Sequence, residues 1–240
     1  MITKEKMLSN KKTARIAGAL YLLLIILGIY AELFVRLELI IPGDAAATDQ
    51  NISTSLLLFR IAAASELIIP ILWIFLGIAF YRLFKSVNQY LASLSLVFTL
   101  VGAAIQFANV SNHMAALLLF SGETYRAVFE ASQLPPMALF FLKIHNYVYI
   151  SAQIFHGLWL LSIGLLVLQS NMMPKILGTL LVIACVSFNI DVLGLFLIPA
   201  YTYTASTIVL LPTVIAEFSL CGYLLLKGVK TTSATVNQAI

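Results

Sequence analysis

Three histidines and a small set of carboxylates and amides lie inside stretches that are otherwise apolar. Such groups are costly in a low-dielectric surrounding, so they are paired, hydrogen-bonded or turned to a polar interior. Their spacing follows helical turns. Glu66 shares a helix face with Pro70, Trp73 and Gly77, and the proline leaves a backbone carbonyl near Glu66 without its usual donor. Ser95, Thr99, Gly102, Gln106, Asn109 and His113 recur at intervals of three and four, which holds them on one stripe. His145, Asn146, Tyr149, Gln153 and His156 form a second stripe. Asn189, Asp191 and Glu217 complete the set further along the chain.

Two kinds of chemistry fit these residue types. Carboxylates and imidazoles bind polar solutes and carry protons. Amide stripes make hydrogen bonds between helices, each worth about 0.6–2 kcal/mol. The expected ligand-binding set is Glu66, Gln106, Asn109, His113, His145, Tyr149, Asp191 and Glu217. Glu32, Arg36 and Arg60 read as structural polar pairs near a membrane interface. No residue is assigned a catalytic role, and no metal or cofactor is expected. His145 and His156 stand three turns apart and cannot share a metal. His113 could share one with either of them if a carboxylate joined.

Six apolar segments position these groups, near 14–35, 55–82, 91–119, 137–168, 176–198 and 207–226. Each is long enough to cross a hydrocarbon core of about 30 Å as a helix. The fold class that follows is all-α: a polytopic transmembrane helical bundle of about six helices. Residues 1–13 read as a cytoplasmic N-terminal segment, 14–230 as the transmembrane domain and 231–240 as a disordered tail. Pro135 and Pro136 suit a helix start. RLELIIPGDAAATDQNIST (36–54) reads as a loop, and SGETYRAVFEASQLPP (121–136) as a loop that lies along the interface.

Composition agrees. Of 240 residues, 61% are hydrophobic and 10% charged, against about 25% charged in a soluble domain. The net charge of +4 does not point to nucleic acid, because the basic residues flank the apolar segments and form no patch. With the N-terminus in the cytoplasm, that side holds Lys4, Lys6, Lys11, Lys12, Arg15, Arg82, Lys85, Lys175, Lys227 and Lys230. Only Arg36, Arg60, Arg126 and Lys143 fall elsewhere. This bias predicts that both termini are cytoplasmic. Counting about 1.5 Å per residue from the outer helix ends places Glu66 about 9 Å deep, His113 and Asp191 about 12 Å, and His156 and Glu217 about 15 Å. The expectation is a polar cavity opening away from the cytoplasm. Cys185 and Cys221 form no CxxC and read as small core residues. Nucleotide-binding, hydrolase and zinc-protease motifs are missing from the sequence.

Several runs resemble a known family. AGALYLL (17–23) leading into ELFVR (32–36), PGDAAATDQNI (42–52) followed by LFRIA (58–62), Lys143-Ile144-His145, MPKILG (173–178) and the segment ending in Glu217 are similar to the bacterial membrane proteins grouped as domain of unknown function 4386. The likeness runs from about residue 12 to 230, and the PGDAAAT loop is its most specific part. It implies a multi-pass protein of the bacterial inner membrane and carries no assigned activity. Function therefore rests on the residues. Small-molecule binding or transport through the polar cavity is expected first, then a regulatory or structural membrane partner, then an intramembrane enzyme on an apolar substrate. Expected partners are membrane lipids, a small ligand and a second copy of the chain in a homodimer.

Overall fold

The computed structural model describes residues 4–121, 129–201 and 203–230, with side chains from residue 10 onward and excluding that of 203. The expected disordered tail, and residues 122–128 of the expected interfacial segment, lie outside them. The described residues are helical, without strands. The long helices are α1 (Lys4–Tyr30), α3 (Leu56–Phe84), α4 (Gln89–Ser121), α5 (Leu134–Gln169), α6 (Lys175–Leu197) and α7 (Tyr203–Leu226), with the short α2 (Ala45–Thr54) between the first two. Among the described residues six spans are long and apolar enough to cross a membrane, and their bounds lie within a few residues of the apolar segments. Large side chains that a watery surface would not tolerate in such numbers stand exposed, among them Leu57, Phe75, Ile176 and Leu226. Lipid is the solvent that suits them.

Helix ends follow local chemistry. After Tyr30 the helix widens into a π turn over Ala31–Arg36 and closes at Leu37–Leu39. Arg36 Nη1 donates to Glu32 Oε2 at 2.8 Å along that turn. Gly43 then takes φ +83°, a value that costs a glycine little. The stretch read as a loop holds a ten-residue helix instead. The Asp44 side chain accepts the Ala47 N–H at 2.9 Å as an N-cap, and three alanines follow it. Fully buried Thr48 secures the corner, accepting the Ile41 N–H at 3.0 Å and donating to the Asp44 carbonyl at 2.8 Å. Asn88 caps α4 by accepting the Leu91 N–H. Pro135 falls in the first turn of α5, where its missing N–H costs nothing.

The chain forms two compact units. The first comprises Met1–Leu22, Ile74–Leu100 and Gln153–Ile240. Its core centres on fully buried Trp159, met edge-on by Tyr21 at 5.8 Å and Phe80 at 5.5 Å. The second comprises Leu23–Trp73 and Val101–Ala152. Its core packs Val35, Leu39 and Ile52 with Phe59, Ala116, Phe120, Ala138 and Leu142.

Candidate functional site

In the second unit three helices bring their ionisable side chains to one point. Glu66 comes from α3, His113 from α4 and His145 from α5. His145 Nε2 lies 3.0 Å from Glu66 Oε2, and His113 Nδ1 lies 3.2 Å from the same oxygen. A single carboxylate oxygen thus serves two imidazoles. Each ring presents a nitrogen to it, and each can donate an N–H to it when that nitrogen carries the proton. The two rings stand nearly perpendicular, at 83°, with centroids 5.5 Å apart.

The surroundings hold this geometry. Phe59 packs on the His113 ring at 4.3 Å, tilted by 40°, and is itself fully buried against Phe120. Asn109, one turn before His113, donates from Nδ2 to the His145 backbone carbonyl at 2.9 Å and so ties α4 to α5 beside the cluster. Asn112 donates in turn to Asn109 Oδ1 at 3.0 Å. The far nitrogen of His113, Nε2, is buried and has no hydrogen-bond partner among the described residues. That ring is oriented by the packing of Phe59 and by Glu66 at Nδ1. Exposure is uneven: the side chain of Glu66 keeps 19% of its surface accessible, those of His113 and His145 only 4% and 9%. The open edge of the cluster is therefore the carboxylate.

The first unit holds a smaller site of the same chemistry. His156 Nε2 on α5 meets Glu217 Oε1 on α7 at 2.7 Å. The His156 ring rests between Trp159 at 5.3 Å and Phe188 at 5.2 Å. Buried Asp191 on α6 has a separate partner. Tyr201, in the link to α7, donates its hydroxyl to Asp191 Oδ1 at 2.9 Å. Gly194 makes room for that ring, because a Cβ there would stand 2.6 Å from Tyr201 Cε2. Desolvation pushes the Tyr201 phenol up to about 12, with further help from the hydrogen bond and charge of Asp191.

The eight candidate residues thus divide. Glu66, Gln106, Asn109, His113, His145 and Tyr149 belong to the second unit, Asp191 and Glu217 to the first. Within the second unit, Glu66, His113 and His145 touch, and Asn109 supports them through the His145 carbonyl. Gln106 is half-buried one turn before Asn109. The Tyr149 ring carries the Arg36 guanidinium on its face at 4.6 Å, next to the Glu32–Arg36 ion pair. Arg60 is exposed and forms no ion pair among the described residues. Two residues outside the candidate set prove to be partners within it. His156 lies on the α5 stripe, and its estimated depth, equal to that of Glu217, is the signal that joins them. Tyr201 had no such signal, since it stands in a link rather than on a stripe.

Glu66, His113 and His145 can hold a metal ion between them, their three ligand atoms lying within 4.8 Å of one another. Comparison with curated proteins and with solved structures finds no match. A family model does match, over residues 16–228, and its description is Domain of unknown function (DUF4386).

Proposed function

The chain belongs to the family described as domain of unknown function 4386, and from that premise we propose that it is a membrane protein that binds a small polar or ionic solute at Glu66, His113 and His145 and moves it between the two faces of the bilayer. The observation that carries this reading is the meeting of three ionisable side chains from three helices at one carboxylate oxygen. Interhelical stability alone would be served by amides and hydroxyls, which are far less costly in an apolar phase than a carboxylate. The residual exposure of Glu66 supports an approach for solute from the carboxylate side. Pro70, one turn from Glu66 inside α3, supports a point of bending next to the site.

The cavity opens, in this reading, away from the cytoplasm of a bacterial cell, with both termini inside. The excess of Lys and Arg on the side of the termini supports that orientation, and reporter fusions after Lys85 and after Lys230 test it. The function itself is tested on the full chain purified in mild detergent, by native mass spectrometry of wild type and Glu66→Gln. A bound solute that the variant loses while remaining folded upholds the reading. If wild type and variant carry the same species in the same amounts, and Glu66→Gln changes only the melting temperature, the cluster is a packing device and the reading is overturned.

A further inference from the structure

The two imidazoles and one carboxylate also specify what kind of solute the site takes. We propose that Glu66, His113 and His145 bind one divalent transition-metal ion of the zinc class. The proposal rests on the reading of this cluster as the solute site and names the ligand it holds.

Distances come first. A zinc ion sits about 2.0–2.2 Å from nitrogen and oxygen ligands, so tetrahedral ligand atoms lie about 3.3 Å from one another. Here the two nitrogens stand 3.0 and 3.2 Å from Glu66 Oε2, and no pair of the three ligand atoms exceeds 4.8 Å. Two of the three edges are therefore already of the size an ion requires, and the third closes on them by a small shift of either ring. His113 offers Nδ1 and His145 offers Nε2, from different helices, to the same carboxylate oxygen.

Ligand type narrows the ion. Imidazole suits zinc and its transition-metal neighbours, whereas calcium takes six to eight oxygens and magnesium an octahedral oxygen shell. Two nitrogens and one carboxylate match the first group and neither of the others. Three protein ligands leave a fourth position open. Its direction follows from exposure, since Glu66 is the accessible member and both histidines are buried. The ion would thus carry water or another small ligand on the Glu66 side.

Apart from Glu66 at Nδ1, packing alone holds the His113 ring, since its Nε2 is buried and without a hydrogen-bond partner among the described residues. Phe59 fixes the ring plane at 4.3 Å, and Nδ1 is left aimed at the cluster. The His145 backbone is pinned by Asn109, which keeps the two imidazoles at their spacing. The His156–Glu217 pair of the other unit lacks a third ligand among the described residues and is not a metal site on this argument.

The test uses the full chain in mild detergent, purified without chelators, loaded with zinc and in parallel with cobalt(II), then desalted. Elemental mass spectrometry should find about one zinc per chain. Glu66→Gln and His113→Gln should each weaken zinc binding by at least about tenfold, while Glu32→Gln retains it. Bound cobalt should show the visible absorption of a low-coordinate nitrogen and oxygen site, lost in His145→Gln. Should one variant fail to fold, zinc should still raise the melting temperature of wild type and leave that of the folded variants unmoved. Wild type that binds no more zinc than Glu66→Gln overturns the metal assignment. If an organic solute is then still lost in Glu66→Gln, solute binding stands without the metal; if none is, both fall.

Discussion

The two carboxylate–imidazole sites make an informative pair. Glu66 and Glu217 have nearly the same side-chain exposure, 19% and 18%. What differs is the number of imidazoles. Glu66 faces imidazoles from two further helices, Glu217 from one. His113 is seated by Phe59 and the His145 backbone by Asn109, whereas His156 is seated by Trp159 and Phe188. One cluster gathers ionisable groups from three helices, the arrangement on which the proposed binding rests. The other brings one imidazole, that of His156, to its carboxylate. An equal degree of burial therefore says little about role, and the count of converging groups says more.

The sharpest way to break this comparison is to remove each acid in turn. Glu66→Ala leaves two buried imidazoles without their acceptor, and we expect it to lower stability by about 3 kcal/mol, taking each stranded group at one lost buried hydrogen bond. Glu217→Ala takes the carboxylate from one imidazole, and we expect about half that loss. Reversible unfolding in detergent, followed by circular dichroism, measures both. Equal losses would show that the second imidazole adds nothing and would erase the distinction.

A smaller effect is expected at Asp191. Tyr201→Phe removes one hydrogen bond to a buried carboxylate and should cost about 1 kcal/mol near neutral pH. It also has a pH signature. Burial, helped by Asp191, pushes the Tyr201 phenol up to about 12 in the folded chain, above the value of about 10 for an unfolded tyrosine. A raised folded value means that the neutral phenol's contribution is complete below about pH 10 and is lost as pH rises through about 12. The stability advantage of wild type over Tyr201→Phe should therefore shrink across that window. A constant difference from pH 8 to 12 would show that Tyr201 is not held in its neutral form by the fold.

The smallest effect belongs to the Glu32–Arg36 pair. Its side chains are 33% and 27% exposed, and the two residues are one turn apart on the same helix. Glu32→Gln should change stability by only a few tenths of a kcal/mol, and less in high salt. A loss comparable with that at Glu217 would mean that the π turn, with Arg36 lying over Tyr149, depends on the pair.

Much of this protein was legible before its structure. Runs of about 20 apolar residues have one physical outcome in lipid, so the six spanning helices and their approximate bounds could be read directly. Helical periodicity placed Asn109 and His113 on one face of α4, and His145 and His156 on one face of α5. The α2 helix escaped notice because its polar, alanine-rich stretch has no apolar stripe, and only the Asp44 cap and the Thr48 corner make it a helix here.

Which stripes meet was not legible. Periodicity says which way a side chain points from its own helix axis and nothing about which helix lies opposite. His145 and His156 lie on the same stripe of α5, yet one joins Glu66 and the other Glu217. Asp191 was expected among the binding residues, and its partner is a tyrosine from a link, brought back by a turn whose close approach depends on the missing side chain of Gly194. The sequence by itself determined the helices, their apolar faces and the residues able to do chemistry, because these follow from local geometry and from the cost of polar groups in lipid. Only the tertiary structure decided that two imidazoles share one Glu66 oxygen, because that depends on contacts between residues 32, 47 and 79 positions apart in the chain, which no local rule constrains.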